Sequence, residues 1–326
     1  MVTLRKVERE ISRRQDHFEE ALENYVQERM ISTDAPAMSL AREILLGGGK
    51  RFRPIIGLLA YEVAGGEDEP KIMDLAIGVE LIHTATLIHD DIYDQSKTRR
   101  GKPTLHTTHG LSHGIIAGDY LFALGYSLGS RFDDEVMSRI AETCVNIATG
   151  ELLQFNHIGD LTTTPEDYYA IIDGKTAGPF ANGCACGAIV AGASDEIRDE
   201  LEKFGWEIGR AFQLVDDLLD LTGDPSMGKP RGTDVHEGKM TLPLIHGLTM
   251  LHGVEREQLA DVLQNFSDDR WGELTNLLES AGSFDYARQL IQNHIGRALS
   301  SLEVLPNCNA KELLIELAKQ SLRRRT

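Results

Sequence analysis

Residues 75–94 read LAIGVELIHTATLIHDDIYD, a long apolar run that ends in a cluster of aspartates. The length of the run and the spacing of its apolar side chains predict a helix. Asp90 and Asp94 are four residues apart, so they share one face of that helix. We therefore predict an apolar helix that carries a functional site at its C-terminal end.

A second aspartate cluster, DDLLD at residues 216–220, repeats this pattern after another apolar helical stretch. Two carboxylates at this spacing repel each other and cost about 0.2–0.5 kcal/mol on an isolated helix. A solvated helix end would explain one such cluster, but two of them favour a compensating cation. Mg²⁺ fits, because it takes oxygen ligands and is usually held by one or two carboxylates together with substrate phosphates.

Two polar side chains are in register with these clusters. His83 precedes Asp90 by seven residues and therefore lies on the face that carries Asp90 and Asp94. Gln213 lies three residues before Asp216, again on the same face. A single helical histidine is usually a satisfied core residue, but this alignment favours a functional interpretation.

Helical periodicity dominates the rest of the chain, and alternating β patterns are almost absent. Glycine- and proline-containing breakers separate the periodic blocks. Thr164, followed by Pro165 and two acidic residues, has the composition of a helix start. The predicted helices cover residues 3–30, 72–94, 113–130, 135–158, 166–173, 195–222, 256–265, 271–280, 284–302 and 310–323. We predict one all-α domain over residues 1–326, with about ten or more helices.

The composition is that of an ordinary globular protein, with 41% hydrophobic and 26% charged residues among 326. The net charge of −18 argues against nucleic acid as the main partner, because binding to a phosphate backbone requires a basic face. Small phosphate ligands need only a local basic pocket and remain possible.

The cysteines and the apolar runs indicate a cellular location. Cys144, Cys184, Cys186 and Cys308 are too few and too scattered for a disulfide framework, which favours a reducing compartment. Cys184 and Cys186 lack zinc-site spacing and are interpreted as core residues. No apolar signal-peptide core is present, and the apolar runs fall short of the ~20 residues that span a bilayer. We expect a soluble, cytoplasmic protein without a transmembrane segment.

Basic residues collect beside glycines in this acidic chain. These groups lie at residues 49–54, 99–103, 174–176, 228–234 and 238–241. Each group alone is common in loops, but diphosphates are bound by arginine forks and lysine point charges. Basic groups and metal ions together would stabilise a departing diphosphate.

Taken in order, these motifs resemble the trans-prenyl diphosphate synthase family. The matching segments are GGKRFRP at 48–54, HTATLIHDDIYDQSKTRRGKPT at 83–104, GELLQ at 150–154, GKTA at 174–177, FQLVDDLLD at 212–220 and KMTLP at 239–243. They span nearly two-thirds of the chain, and the flanks carry no signature. The resemblance implies an all-α isoprenoid synthase helical bundle around a deep central cavity, usually homodimeric. It also implies a magnesium-dependent prenyltransferase that condenses isopentenyl diphosphate with allylic diphosphates.

The resemblance assigns roles to individual positions. Metal ligands are Asp90, Asp94 and Asp216, with Asp91, Asp217 and Asp220 as supporting acids. The isopentenyl diphosphate site takes Lys50, Arg53, His83 and Arg100. The allylic diphosphate site takes Arg99, Lys175, Thr176, Gln213, Lys229 and Lys239.

The residues before the first aspartate cluster bear on product length. In this family, bulky side chains four and five positions before the first aspartate block chain growth, and here these positions hold the small Thr86 and Ala85. We therefore expect geranylgeranyl or a longer all-trans polyprenyl product. Leu81, or residues of a neighbouring helix, would then close the end of the product cavity. Ideal helix geometry puts Thr86 near the aspartate face but Ala85 well off it. Ala85→Phe is predicted to shorten the product.

Some features of the sequence allow other interpretations. A terpene cyclase normally has a different second metal motif and lacks the site around Lys50 and Arg53. A non-catalytic or regulatory subunit with this fold typically loses one aspartate motif, whereas both are intact here. A metal cluster at His106, His109 and His113 is disfavoured by their position in a loop and helix start. The basic tail LRRR at 322–325 is either a solvated terminus or a segment that folds over the anionic site.

Overall fold

The structure, a computed structural model, describes residues 4–32, 35–223 and 231–323. Its α-helices are α1 (Leu4–Met30), α2 (Ala35–Leu45), α3 (Phe52–Val63), α4 (Glu69–Tyr93), α5 (Leu105–His109), α6 (Leu111–Gly129), α7 (Asp134–Asn156), α8 (Pro165–Ile172), α9 (Gly178–Ala191), α10 (Asp195–Thr222), α11 (Thr233–His236), α12 (Leu242–Met250), α13 (Gly253–Gln264), α14 (Trp271–Ser280), α15 (Ser283–Glu303) and α16 (Asn309–Arg323). A π turn, Asp173–Ala177, joins α8 to α9, and a 3₁₀ turn, Asp268–Arg270, precedes α14. Strand β1 (Thr98–Arg99) pairs with β2 (Lys102–Pro103) in a small antiparallel hairpin.

The all-α class predicted from the periodicity is confirmed. Within the described ranges, strand structure is confined to β1 and β2, and each of the ten periodic blocks corresponds to a helix. Six helices of the described ranges lie outside these blocks, namely α2, α3, α5, α9, α11 and α12. Helices α9 and α12 are apolar almost all round and show no amphipathic stripe, and α5 and α11 are only five and four residues long. The helix start at Thr164 is confirmed by a capping box, in which Thr164 and Asp167 exchange side-chain and backbone hydrogen bonds.

The chain divides into two compact units. Unit 1 comprises Met1–Ala141, Gly183–Arg198 and Pro306–Leu314, and unit 2 comprises Glu142–Asn182, Asp199–Leu305 and Ile315–Thr326. The first aspartate cluster, at residues 90–94, belongs to unit 1. The second cluster, at residues 216–220, belongs to unit 2.

In unit 1, α4 packs closely along α6 because α6 presents glycines. A Cβ atom on Gly118 would lie 2.2 Å from the ring of His89, and one on Gly125 would lie 2.6 Å from Ile82. Ala85 lies between Ile82 and His89 in sequence, three residues after one and four before the other, so it belongs to the same row on α4. Its side chain is completely buried.

Helix α4 is also long and apolar enough to span a membrane by composition alone. Within Pro70–Tyr93, an 18-residue window has a mean hydropathy of 1.3, and 67% of that window is buried inside the protein. The sequence expectation that no segment is long enough to span a membrane rested on uninterrupted apolar runs, and Glu80 and His83 interrupt the run in α4. The mean hydropathy of the window includes these two residues and is still 1.3. Such burial is typical of a core helix.

In unit 2, α10 packs against the passage from α8 through the π turn to α9. A Cβ atom on Gly205 would lie 2.4 Å from the Cα of Ala181, and one on Gly209 would lie 2.5 Å from the Cα of Ala177. These glycines therefore allow backbone-to-backbone packing that no larger residue would permit. This close contact sets the position of the π turn relative to the second aspartate cluster.

The cysteines behave as predicted from their sequence context. Cys184 and Cys186 are buried in α9, and the four cysteines, all within the described part of the chain, form no disulfide. Their interpretation as core residues is confirmed.

Candidate functional site

The first aspartate cluster occupies the C-terminal turn of α4. The backbone N–H of Asp94 donates to the carbonyl of Asp90 over 2.8 Å, so the helical turn continues through the cluster. The side chains of Asp90 and Asp94 are partly exposed, whereas Asp91 between them is only 2% exposed. The cluster thus presents two carboxylates on one side and buries the third.

Asp91 anchors the hairpin that follows α4. Nε of Arg99, in β1, donates to Oδ1 of Asp91 over 2.8 Å. Burial raises the pKa of Asp91, and the neighbouring Arg99 opposes that shift. The supporting role expected of Asp91 corresponds here to a salt bridge that fixes Arg99 beside the cluster.

The predicted basic residues of unit 1 collect around His83. Nη1 of Arg53, in the first turn of α3, lies 3.4 Å from Nε2 of His83. Burial lowers the pKa of His83 well below its usual value, and Arg53 and Arg100 lower it further. Burial also lowers the pKa of Arg53, to about 10. His83 is therefore neutral, and Nε2 accepts from Arg53 when the ring proton is on Nδ1.

Arg100 connects the hairpin to the glycine-rich loop before α3. Nη1 of Arg100 donates to the carbonyl of Gly48, and its backbone has a positive φ of 52° in the hairpin turn. A Cβ atom on Gly49 would lie 3.1 Å from Nη2 of Arg100, so the loop and the guanidinium are in close contact. Lys50, next in the loop, is exposed. The structure therefore brings Arg53, His83 and Arg100 to one region of unit 1, with Lys50 at its edge.

Arg51 lies in the same GGKRFRP motif as Lys50 and Arg53, but its side chain points into the protein interior. Its side chain is buried, and Nη2 donates to the carbonyl of Leu45 over 2.8 Å. Nη1 and Nε bond to Glu80 and Glu19. The family resemblance gave Arg51 no role in the site, and the structure shows that its side chain turns inward.

The second aspartate cluster occupies the C-terminal turns of α10. Asp216 is exposed, whereas Asp217 is buried and accepts hydrogen bonds from the hydroxyl of Tyr168 over 2.6 Å and from Nε2 of Gln213 over 2.8 Å. Burial raises the pKa of Asp217 to about 7, with the nearby Asp216 and Asp220 acting in the same direction and the two donors opposing them. Tyr168 was not predicted from the sequence.

Asp220 holds the start of α11. Its Oδ1 and Oδ2 accept from the backbone N–H groups of Thr233 and Asp234 over 3.0 and 3.1 Å. Burial raises the pKa of Asp220 and that of Asp234, the latter strongly and with help from Asp217 and Asp220. Asp234 is therefore an additional acid at this cluster, overlooked in the sequence because it lies apart from the DDLLD motif.

The π turn presents two predicted site residues in different directions. Nζ of Lys175 lies 2.5 Å from Oε2 of Glu151 and 2.6 Å from Oε1 of Gln154, both on α7. Oγ1 of Thr176 donates to Oε1 of Gln213 on α10 over 2.9 Å. The GELLQ motif thus supplies Glu151 and Gln154 as partners of Lys175, a role not assigned from the sequence.

The last two residues of the predicted allylic diphosphate site are Lys229 and Lys239. Nζ of Lys239 lies 2.6 Å from Oε2 of Glu237, and its charge opposes the raised pKa of Asp234. Lys239 is therefore beside the second cluster. Lys229 lies outside the described residues, as do the last residues of the basic tail.

The aspartates are the candidate metal ligands of the described residues. In residues 4–32, 35–223 and 231–323, no group of three or more histidines, cysteines and acids is arranged to hold a metal ion. The rings of His109 and His113 are 6.4 Å apart and form no such group with His106, so a metal site there is not supported. The aspartate clusters offer carboxylate pairs, which suit an ion that takes its other ligands from phosphates and water.

Comparison with known proteins identifies the family. Residues 36–278 match the family model described as polyprenyl synthetase. The chain belongs to the polyprenyl synthetase family. Members of this family are trans-prenyltransferases that use isopentenyl and allylic diphosphates and a divalent metal, so the predicted fold, family and reaction class are confirmed.

Individual polyprenyl synthetases differ in product. The chain is 34% identical over 306 residues to the all-trans-nonaprenyl-diphosphate synthase (geranyl-diphosphate specific) of Rhodobacter capsulatus, covering 93% of this chain and 94% of that protein. It is 32% identical to the geranylgeranyl diphosphate synthase of Methanosarcina mazei, covering 97% of each. A crystal structure of polyprenyl synthase from Caulobacter crescentus complexed with calcium and isoprenyl diphosphate is similar, with 33% identity, a TM-score of 0.89 and 98% of each chain covered. These similarities establish a chain-elongating prenyltransferase without specifying its product length.

Proposed function

We propose that this polyprenyl synthetase uses Mg²⁺ to extend allylic diphosphates with isopentenyl diphosphate to geranylgeranyl diphosphate or a longer all-trans product. The observation that carries the proposal is that each aspartate cluster adjoins predicted diphosphate-binding cations. In unit 1 these cations are Arg53 and Arg100 with Lys50, beside the neutral His83, and in unit 2 they are Lys175 and Lys239.

Asp90 and Asp94 in unit 1, and Asp216 in unit 2, are the proposed metal ligands. Their carboxylates are at least partly exposed, whereas Asp91 and Asp217 are buried and bonded to other side chains. Hard oxygen donors in pairs suit Mg²⁺. When bound, the metal would neutralise charge on the departing diphosphate of the allylic substrate.

The isopentenyl diphosphate site is proposed at Lys50, Arg53, His83 and Arg100. Arg53 and Arg100 would provide charge-assisted hydrogen bonds to the phosphate oxygens. The neutral His83 would bind as a hydrogen-bond donor through Nδ1, since its Nε2 faces Arg53. A neutral donor here avoids placing another positive charge beside two guanidinium groups.

The allylic diphosphate site is proposed at Arg99, Lys175, Thr176, Gln213, Lys229 and Lys239. Thr176 and Gln213 are hydrogen-bonded to each other, and Gln213 also donates to Asp217. This chain of contacts holds the dipoles of Thr176 near the second aspartate cluster. Oriented dipoles at this position would stabilise positive charge that develops on the allylic carbon as the diphosphate leaves.

Product length is proposed to depend on the α4 face that carries Asp90. Thr86 lies one turn before Asp90 and is partly exposed, with its hydroxyl donating to the carbonyl of His83 over 2.7 Å. Ala85 and Leu81 are completely buried. The small side chain of Thr86 supports a product of geranylgeranyl length or longer, and it makes Thr86 the first position to test.

We further propose one synthase domain over residues 1–326 that acts as a soluble, cytoplasmic homodimer. One family model matches parts of both units, which supports a single domain. Exposed apolar residues recur along one face of α7, at Val145, Leu152 and Phe155, where a second copy would shield them. Light scattering tests this assembly, and a monomer at working concentration would contradict it.

The test of the proposed reaction is a chain-length assay. The purified protein is incubated with isopentenyl diphosphate, Mg²⁺ and, in turn, dimethylallyl, geranyl, farnesyl and geranylgeranyl diphosphates, and the dephosphorylated products are separated by chromatography. We expect a ladder that ends at geranylgeranyl or beyond, loss of turnover in EDTA, and recovery with excess Mg²⁺. A ladder that stops at farnesyl would contradict the proposed product length.

Two variants test the metal ligands. Asp90→Asn and Asp216→Asn are each expected to lower turnover by on the order of 100-fold or more, because each removes a charged oxygen ligand. Asp285→Asn, which changes an exposed carboxylate on α15 paired with Arg288, is the matched control. Turnover in either cluster variant equal to that of the control would contradict the assignment.

A further inference from the structure

The π turn Asp173–Ala177 carries both Lys175 and Thr176 and is enclosed by unit 2. A π turn contains one residue more than an α-helical turn, and such turns occur frequently at functional sites. A Cβ atom on Gly174 would lie 2.6 Å from the carbonyl oxygen of Asn146 on α7. The backbone of the turn is therefore in close contact with the backbone of that helix. On its other side it touches α10 at Gly209. An extra residue held this tightly needs specific contacts, because relaxation to a regular helix would otherwise be favourable.

Arg210 fixes the first residue of the turn. Its Nε and Nη2 donate to Oδ1 and Oδ2 of Asp173 over 2.8 and 2.7 Å, a two-point contact between planar groups. Hydrogen bonding to Asp173 raises the pKa of Arg210. The guanidinium also lies over the rings of Trp206 and Tyr169, with centroid distances of 5.5 and 5.9 Å. Arg210 is thus restrained in both position and plane.

A second set of contacts supports Arg210 from α15. Oε2 of Glu207, one turn before Arg210, lies 2.8 Å from Nδ1 of the buried His294 and 2.7 Å from Nε of Arg297. Nε2 of His294 lies 3.0 Å from the hydroxyl of Tyr169. Nδ1 of His294 also lies 2.7 Å from Nη2 of Arg297, so both ring nitrogens have partners within hydrogen-bond distance. This network joins α8, α10 and α15 around the Asp173–Arg210 pair.

The contacts to the turn come from one face of α10. Arg210, Gln213 and Asp217 are spaced three and four residues apart, so they lie on the same side of the helix. Hydrogen bonds connect this face to its surroundings. Arg210 donates to Asp173, Gln213 accepts from Thr176, and Asp217 accepts from Tyr168. The helix that carries the second aspartate cluster therefore also sets the register of the turn.

We infer that the Asp173–Arg210 pair is a positioning element for the allylic diphosphate, because it keeps the π turn in the register that presents Lys175 and Thr176. If the pair is broken, the turn can lose its extra residue, and each residue shifted along a helix rotates a side chain by about 100°. Lys175 would then leave Glu151 and Gln154, and Thr176 would leave Gln213. The inference rests on the proposed role of Lys175 and Thr176 at the allylic site.

Kinetics that separate the two substrates test this inference. Arg210→Lys keeps the charge but loses the two-point contact, and Asp173→Asn removes the carboxylate. In each variant we expect the KM for farnesyl diphosphate to rise on the order of tenfold, because displacement of a binding group by about 1 Å has large effects. The KM for isopentenyl diphosphate is expected to stay unchanged. The double variant is expected to be no worse than either single one, as for two partners in one interaction.

Two further variants make the outcomes distinguishable. Lys203→Gln removes an ion pair with Glu200 on the same helix and should change neither KM. Lys175→Gln should raise the KM for farnesyl diphosphate by itself, and if it does not, the proposed role of Lys175 is wrong. If Lys175→Gln raises this KM while Arg210→Lys and Asp173→Asn do not, the positioning inference alone is overturned. Equal rises in both KM values with a lower Tm would also overturn it, since they would indicate a general structural role.

Discussion

Nη1 of Arg51 lies 2.5 Å from Oε1 of Glu80, and both side chains are almost completely shielded from water, at 2% and 5% exposure. Nε of Arg51 also lies 2.7 Å from Oε1 of Glu19. Burial lowers the pKa of Arg51, but the contacts with Glu19 and Glu80 outweigh it and raise that pKa overall. Within the GGKRFRP motif, Arg51 therefore stabilises the fold, while Arg53, two residues later, faces His83.

Replacement of Arg51 should be costly for stability. Arg51→Met leaves Glu80 buried without its partner, and loss of one member of a buried ion pair typically costs about 3–5 kcal/mol. Urea denaturation should show this decrease in the free energy of unfolding, and adding Glu80→Leu should restore much of it. Arg13→Met, which removes an exposed pair with Glu10, should cost at most about 1 kcal/mol. A similar loss in both single variants would contradict the structural role of Arg51.

Adjacent residues on α4 should respond differently to the same substitution. Thr86→Phe places a ring on the face that carries Asp90 and should shorten the product by one or more isoprene units. Ala85→Phe was predicted from the sequence to shorten the product, and that stays a prediction. The structure adds a second expectation for it, since the row shared with Ile82 and His89 packs against α6 glycines. Overpacking there should lower stability by about 1–3 kcal/mol.

Product chromatography and thermal unfolding of the two variants together check this distinction. An Ala85→Phe variant with wild-type stability and a shorter product would show that the ring enters the substrate cavity. A Thr86→Phe variant with an unchanged product would contradict the proposed cavity wall.

Two helical glycines should give opposite results when replaced by alanine. Gly209→Ala puts a Cβ atom 2.5 Å from the Cα of Ala177, so α10 and the π turn must separate, at a cost of about 1–3 kcal/mol. Gly296→Ala meets nothing within 4 Å in α15 and should stabilise the protein by about 0.4–1 kcal/mol. Thermal unfolding of both variants provides the comparison. Equal effects on Tm would show that the close contact at Gly209 is not required.

The environment of His246 predicts part of the pH dependence of stability. Burial lowers the pKa of His246, whose Nδ1 lies 3.0 Å from Oγ of Ser283 and whose ring stacks on Tyr286 at 4.2 Å. Because the folded state binds this proton less tightly than the unfolded state, the stabilisation is present above pH ~6.5 and is lost as pH falls. Urea denaturation at pH 7.5 and 5.5 should show a smaller decrease for His246→Gln than for the original protein.

The control for this measurement is the exposed His252. His252→Gln should leave the decrease in stability between pH 7.5 and 5.5 unchanged. If His246→Gln and His252→Gln behave alike, protonation of His246 makes no contribution to acid destabilisation.

Local sequence was sufficient for the aspartate clusters and for most helices with an amphipathic stripe, although α2 was missed. The spacing of Asp90 and Asp94 implied a shared face as soon as a helix was assigned, and the Thr164 start followed from short-range capping chemistry. The periodicity failed for α9, because Gly, Ala and Cys surround that helix with small apolar residues on every side. No residue-by-residue pattern distinguishes such a helix from another buried segment.

The sequence by itself determined the helical class, the family and the order of the motifs, because each depends on residues close together along the chain. Only the tertiary structure decided that Arg51 turns inward toward Glu80, that Tyr168 donates to Asp217, and that Asp173 pairs with Arg210. These partners are 29 to 49 residues apart. Such contacts depend on how helices pack, and packing is set by side-chain shape and burial across the fold rather than by local spacing.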